Sequence, residues 1–186
     1  MAPARWLDPQ ALIAPQEYAR AAREQVGRVL PNLADDARKV LDAAQIEARR
    51  EDDNHVGTEH MVLGMFSVSR CLAAHALADV GITRSVFVDQ RHYEEGPSPT
   101  GRIPHTPRVN RSIVLGAEIA RANGAVRVNS AHLLLGVVAE SEEWEASGRV
   151  GVYHLRDAVR TIGSSLADVR RTAEAQLRLG SSSPRP

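Results

Sequence analysis

The chain has 186 residues, 43% of them hydrophobic, and its 23 basic and 23 acidic side chains leave a formal net charge of zero. That length suits one domain with a buried core. The balanced charge argues against a general binder of nucleic acid or membrane surfaces, which carries a basic excess. The single cysteine, Cys71, cannot close an internal disulfide, which reads as a cytoplasmic protein, and no apolar run is long enough to span a bilayer.

Residues 1–10 hold an arginine, a tryptophan and an aspartate but no apolar signal core, so export is not expected. Pro15 suits a first helical turn, and Tyr18, Ala21, Ala22, Val26, Val29 and Leu30 make an apolar face that predicts a helix ended by Pro31-Asn32. Residues 1–32 thus form an N-terminal extension with one helix. Ala37, Val40, Leu41, Ala44 and Ala48 follow the spacing of a second amphipathic helix, closed by the polar run Glu51-Asp52-Asp53-Asn54. Thr58 is expected to cap a short helix over His60 to Val68. An alanine-rich helix follows from Cys71 to Val80, with Gly81 in the left-handed closing position. Thr83 or Ser85 starts a fourth, running toward Tyr93. Residues 96–102 read as a linker rich in glycine and proline.

The elements then recur. Thr106 with Pro107 predicts a capped helix carrying Ile113, Val114, Ala117 and Ala120. Ser130 is expected to cap the next. Glu142 to Gly148 reads as a polar insertion, Leu155 to Ile162 as a third helix, and Leu166 to Leu179 as a last one capped by Ser164 or Ser165. The tail, 180–186, is expected to be disordered. One constant offset aligns His60 with His132, Gly64 with Gly136, Val56 with Val128, Thr58 with Ser130 and Leu41 with Ile113. A shared register of this length indicates internal duplication. The expected fold is all-α: two tandem four-helix repeats, 33–95 and 103–179, packed with pseudo-twofold symmetry, plus the N-terminal helix.

Catalytic signatures are missing. Lys39 is the only lysine and has no glycine-rich loop before it, so there is no Walker-type ATPase site. Neither a nucleophile elbow nor a dinucleotide fingerprint is present, and no cofactor is expected. His55 and His60 lie five apart across a helix start, a poor spacing for a metal pair, and the equivalence of His60 and His132 favours an imidazole that bonds neighbouring backbone.

The stretches Ala44-Gln45-Ile46-Glu47-Ala48-Arg49, Val56-Gly57-Thr58-Glu59-His60-Met61-Val62-Leu63-Gly64 and Ile103-Pro104-His105-Thr106-Pro107-Arg108 resemble the N-terminal repeat domain of Clp-type AAA+ unfoldases, the ClpC branch in particular. The resemblance runs from about Leu33 to Ala175. In that family the domain precedes two ATPase rings; here a free-standing N-domain is expected. The resemblance implies a non-catalytic docking module for Clp protease components or their substrates, delivering or sequestering them, with arginine-phosphorylated proteins and cyclic peptide antibiotics among its ligands. It also implies two phosphoarginine pockets, in which a carboxylate holds the guanidinium and a helix start with a threonine hydroxyl holds the phosphate. Carried over by position, the first pocket pairs Glu59 with Ala34 and the second pairs Thr106 with Ala131. Each keeps one element: Ala34 has no hydroxyl and Ala131 no carboxylate. A further hydrophobic groove would involve Leu41, Gln45 and His105. Two other readings are a helical DNA-binding regulator, which requires a basic exposed recognition helix, and a decayed paralogue with non-functional pockets.

Overall fold

The computed structural model describes residues 15–88, 101–146 and 154–181. Nine α-helices are found there: α1 (Pro15–Val29), α2 (Asp35–Arg50), α3 (Thr58–Ser67), α4 (Leu72–Asp79), α5 (Arg84–Val88), α6 (Pro107–Ala122), α7 (Ser130–Ala146), α8 (His154–Thr161) and α9 (Leu166–Ser181). A 3-10 turn, Leu30–Asn32, joins α1 to α2. No strand forms among the described residues. The expectations for 1–14, for the linker up to residue 100, for the end of the fourth helix near Tyr93 and for the tail from 182 onward lie outside them.

The chain folds twice in the same way. The offset between copies is 72 residues, the distance from His60 to His132. It superimposes α2 and α3 on α6 and α7, whereas α4 and α5 correspond to α8 and α9 at an offset of 82 residues, the second copy being longer between its second and third helices. Two isolated bridges join the copies, Leu33 to Val128 and Val56 to His105. Each is the 72-residue image of the other, which is what a pseudo-twofold axis demands. The segment before α2 therefore lies beside the start of α7, and the segment before α6 beside the start of α3. The third helix of each copy packs on the fourth helix of the other, α4 on α9 and α8 on α5. One apolar core runs through both repeats and includes Ala37, Val40, Met61, Leu63, Ile113, Leu134 and Val138. α1 lies against α6 and contributes Val26 to this core.

Within each repeat the first two helices touch at a glycine. A Cβ on Gly64 would lie 2.5 Å from the Val40 carbonyl oxygen, and one on Gly136 would lie 2.0 Å from that of Ser112. Val40 and Ser112 are again equivalent positions. α3 and α7 are almost wholly buried along their first halves, from His60 to Met65 and from Ser130 to Val138. They cannot enter a DNA groove, which removes the recognition helix that the DNA-binding reading needs. Among the described residues no single helix is long and apolar enough to cross a membrane.

Four local expectations need correction. The cap of α3 is Gly57, not Thr58, and Asn129 rather than Ser130 caps α7, its side chain accepting from the His132 amide at 3.1 Å. In both repeats the histidine three positions on takes the role usual for glutamate in a capping box: His60 Nδ1 accepts the Gly57 N–H at 3.0 Å and His132 Nδ1 the Asn129 N–H at 3.2 Å. The residues read as a polar insertion, as far as Ala146, continue α7. Glutamate is a good helix former, and here Glu142 meets Arg170, Glu143 meets Arg111 and Glu145 meets Arg160 on neighbouring helices. α9 likewise runs through Gly180 to Ser181 instead of ending at Leu179. The caps at Thr106 and Ser165 are as expected, with hydroxyls accepting from Val109 and Asp168.

Candidate functional site

The junction of α3 and α6 brings two helix starts together. Thr106 donates its backbone N–H to Val56 at 2.9 Å, and Val56 donates to Pro104 at 2.8 Å. Thr106 is thereby held beside the Gly57-Thr58-Glu59 turn of the other repeat. Glu59 sits in the first turn of α3, where a carboxylate complements the helix dipole. It folds back over Gly57, where a Cβ would lie 1.8 Å from its Oε1, so a larger residue there would require the Glu59 side chain to move. Thr58, Glu59 and Arg108 rim a cavity of about 10 Å³ floored by Val62, Phe87, Val137 and Leu155. That space holds one water at most, so a ligand would use the rim and displace Glu59 from Gly57.

Arg108, in the first turn of α6, is fixed from behind. It makes two bonds to Glu140, at 2.6 and 2.8 Å, and lies 5.0 Å from the Trp144 ring centroid. Burial pushes the Glu140 carboxyl above the usual range, while Arg108 opposes that shift. The site is thus lined by a carboxylate, a guanidinium and a threonine hydroxyl.

The pseudo-equivalent junction, α2 with α7, has the same backbone and different chemistry. Ala34 donates its N–H to Val128 at 2.8 Å, the image of the Thr106 bond. Ala34 caps α2 without a side-chain bond, and Ala131 is fully buried. Asp36 stands at the position equivalent to Arg108. Its Oδ2 accepts from the Ser130 N–H at 3.0 Å and from Ser130 Oγ at 2.6 Å, and its Oδ1 from the Ala37 N–H at 2.8 Å. An internal carboxylate therefore fills the α7 start. Asp36→Ala is expected to destabilise the chain by about 1–2 kcal/mol through the lost cap-like bonds; an unchanged urea midpoint would refute this.

By backbone, Thr106 sits at the α3 start that carries Glu59, and Ala34 sits at the α7 start that carries Ala131. One junction keeps both elements and the other has lost both. Sequence reasoning assigned no role to Asp36, Arg108 or Glu140, although the charge reversal between equivalent positions 36 and 108 was readable from the duplication.

The expected groove beside α2 is closed by its own residues. Leu41 belongs to the core. Gln45 is buried and forms a two-way amide pair with Ile103, donating to its carbonyl at 2.8 Å and accepting its N–H at 2.9 Å. Those two bonds, each worth about 1 kcal/mol, pin the segment before α6. His105 pairs with Val56, and its Nε2 is buried without a hydrogen-bond partner; burial, with Arg102 nearby, lowers its pKa.

Glu51, Asp53 and His60 bring three potential metal ligands within 4.8 Å. The imidazole argues against coordination. Nδ1 accepts the Gly57 amide hydrogen, so Nε2 carries the proton, and it reaches Glu51 at 2.9 Å and Asp53 at 3.1 Å. A metal on Nε2 would force the proton onto Nδ1, against the Gly57 N–H. The cluster is a hydrogen-bond lock on the α2–α3 loop.

Residues 32–147 match the family model described as the Clp repeat N-terminal domain. Over 136 residues, 72% of this chain, the sequence is 35% identical to the chloroplastic chaperone protein ClpC1 of Arabidopsis thaliana, of which it spans 14%. Over 110 residues, 57% of this chain, it is 36% identical to the negative regulator of genetic competence ClpC/MecB of Bacillus subtilis, of which it spans 13%. Among solved structures, the N-terminal domain of the caseinolytic protease associated chaperone ClpD from Arabidopsis thaliana superimposes with a TM-score of 0.61. It is 16% identical, and the match covers 81% of this chain and 97% of that one. At that identity the likeness is one of fold.

Proposed function

The chain belongs to the Clp repeat N-terminal domain family, and on that footing we propose that it is a non-catalytic protein-binding module of the Clp protease system, engaging substrates or adaptors through the α3/α6 junction. The single observation that carries this reading is the backbone pairing of Val56 with His105 and Thr106, which sets the start of α3, with Glu59 in its first turn, beside the Thr106 cap of α6. A carboxylate beside a capped helix start suits a zwitterionic side chain such as phosphoarginine. The guanidinium would pair with Glu59, and the phosphate would take the Thr106 hydroxyl and the positive field of the α6 start. The α2/α7 junction lacks both groups and carries Asp36 where an anion would sit. The ligand count is therefore one per chain.

Calorimetric titration with a peptide bearing phosphoarginine tests this. One site per chain is expected, weakened roughly ten- to hundredfold by Glu59→Ala, the loss of one charge-assisted contact. Two equal sites, or binding indifferent to Glu59→Ala, would sink the proposal. A cyclic peptide titrated in parallel reports on the α2 face. Because Gln45 is already paired there, cyclic peptide binding is expected to be the weaker of the two.

A further inference from the structure

The two bridges that join the repeats carry different side chains at equivalent positions. Leu33, in one bridge, is 2% exposed and belongs to the core. Its 72-residue counterpart in the other bridge is His105. The backbone around the two is the same. Val128 donates its N–H to Asn32 at 3.0 Å and accepts from Ala34 at 2.8 Å, and Val56 donates to Pro104 at 2.8 Å and accepts from Thr106 at 2.9 Å. An imidazole therefore stands where the fold is built to take a leucine, clamped by a backbone bond on either side. Its Nε2 is buried with no hydrogen-bond partner.

A neutral ring is tolerated there, because one weakly polar atom is all that is stranded. A charged ring is not, since burying an unpaired cation costs far more than burying a neutral group. Among the described residues the charge that acts on the ring is that of Arg102, which has the same sign, and the group beside it on α6 is the uncharged Asn110. Across the bridge, the α2–α3 loop and the α3 start bring His55, Glu59 and His60. His55 is bonded to Asn54, Glu59 is folded over Gly57, and His60 is bonded to Gly57, Glu51 and Asp53. Burial, and then Arg102, hold the His105 pKa below that of an ordinary histidine, with Asn110 offsetting part of the shift. The segment before α2 faces no such difficulty. There Arg38, the counterpart of Asn110, donates to the Leu33 and Pro31 carbonyls, both at 3.1 Å.

We infer that His105 is a pH-sensitive latch on the α3/α6 junction: a proton taken up by its ring releases the strap 101–106 from Val56 and draws Thr106 away from the α3 start. The bearing of this latch on ligand binding rests on the function proposed above, whereas the opening itself needs no ligand. Its direction follows from linkage. The closed strap binds the proton less readily than the open one. Closure is therefore at full strength above about pH 6.5, the range of an ordinary histidine, and weakens as pH falls toward the closed-state pKa. At about pH 5 the opening equilibrium can rise by no more than about thirtyfold, the ratio of charged to neutral imidazole in a released histidine. The α2/α7 junction, with Leu33 in its strap, stays closed over the same range.

The test is amide hydrogen exchange of the full chain, read by NMR at about pH 7.5 and about pH 5 and corrected for the intrinsic pH dependence of exchange. Protection of the Val56 and Thr106 amides is expected to fall by about threefold to thirtyfold, while the Ala34 and Val128 amides of the other bridge keep theirs. His105→Leu, which copies the first bridge, should remove that difference. His55 and His60 remain in the variant, so a loss that persists there belongs to them and overturns the inference. Equal losses at the two bridges, or a His105 ring that titrates at or above an ordinary histidine, overturn it as well. Should the leucine variant fail to fold, the comparison of the two bridges within the unaltered chain decides. No phosphoarginine enters the measurement, so the latch stands or falls separately from the proposed ligand.

Discussion

Gly136→Ala is expected to destabilise the domain by about 3 kcal/mol, the upper end of what overpacking usually costs. The new methyl would lie 2.0 Å from the Ser112 carbonyl oxygen and 2.8 Å from the Gly116 nitrogen. Both are backbone atoms of α6, and no rotamer change relieves a clash with backbone. α6 and α7 would have to separate along the most extensive helix interface in the molecule. Gly64→Ala repeats the experiment in the other copy, where the nearest atom is the Val40 oxygen at 2.5 Å, and a smaller loss of about 2 kcal/mol is expected. For a domain of this size the two changes correspond to melting points lowered by roughly 6–12 °C and 4–8 °C. Thermal denaturation followed by circular dichroism checks both, and a Gly136→Ala chain that melts with the unaltered one would show that α6 and α7 do not approach this closely.

Arg108→Ala should cost about 3–5 kcal/mol at neutral pH, because it leaves the Glu140 carboxylate buried without its partner. The Glu140 side chain is 2% exposed and receives both guanidinium bonds. The loss should depend on pH in a defined direction. Burial already raises the Glu140 pKa with Arg108 working against it, and removing Arg108 raises it further. A carboxyl whose folded pKa lies above its unfolded value stabilises the fold below the unfolded pKa, and that contribution disappears as pH rises through the folded pKa. The Arg108→Ala chain should therefore regain stability as pH is lowered from 7 toward the range of an ordinary glutamate, about 4.3. The paired change Arg108→Met with Glu140→Leu removes both charges and should restore most of the loss. A pH-independent deficit in urea midpoints would show that packing of Arg108 on Trp144, and not the stranded charge, is what the alanine removes.

These effects bear on how the binding face is maintained. Arg108 stands at the mouth of the α3/α6 junction yet is held by Glu140 and Trp144 from behind, so its position is set before any ligand arrives. Asp36 at the other junction is held just as firmly, but as a carboxylate facing the α7 start. The asymmetry between the two ends of the molecule is thus a matter of side-chain charge on a shared backbone frame.

Much of this was legible along the chain. The apolar spacing in Ala37 to Ala48 and in Ile113 to Ala120 marks helices because burial on one face requires it. Thr106-Pro107 and Ser165 announce their caps. The shared His and Gly positions identify the duplication. The caps of α3 and α7 were misplaced by one residue because a histidine at the third position is an unusual capping partner, and Thr58 and Ser130 are residues that favour caps themselves. Glu142 to Ala146 looked like an insertion because their polarity serves ion pairs to three other helices, and those partners are distant in sequence. Gln45 was assigned to a ligand groove for the same reason: its mate, the Ile103 backbone, lies 58 positions away.

By itself the amino-acid sequence determined the helices, the double repeat and which residues of the two copies correspond, since these depend on local propensity, periodicity and register. Which helix start faces which was decided only by the tertiary structure. Register says that Glu59 matches Ala131 and that Thr106 matches Ala34, but the pseudo-twofold packing crosses the repeats, so the segment ending at Thr106 pairs beside the α3 start and the segment ending at Ala34 beside the α7 start.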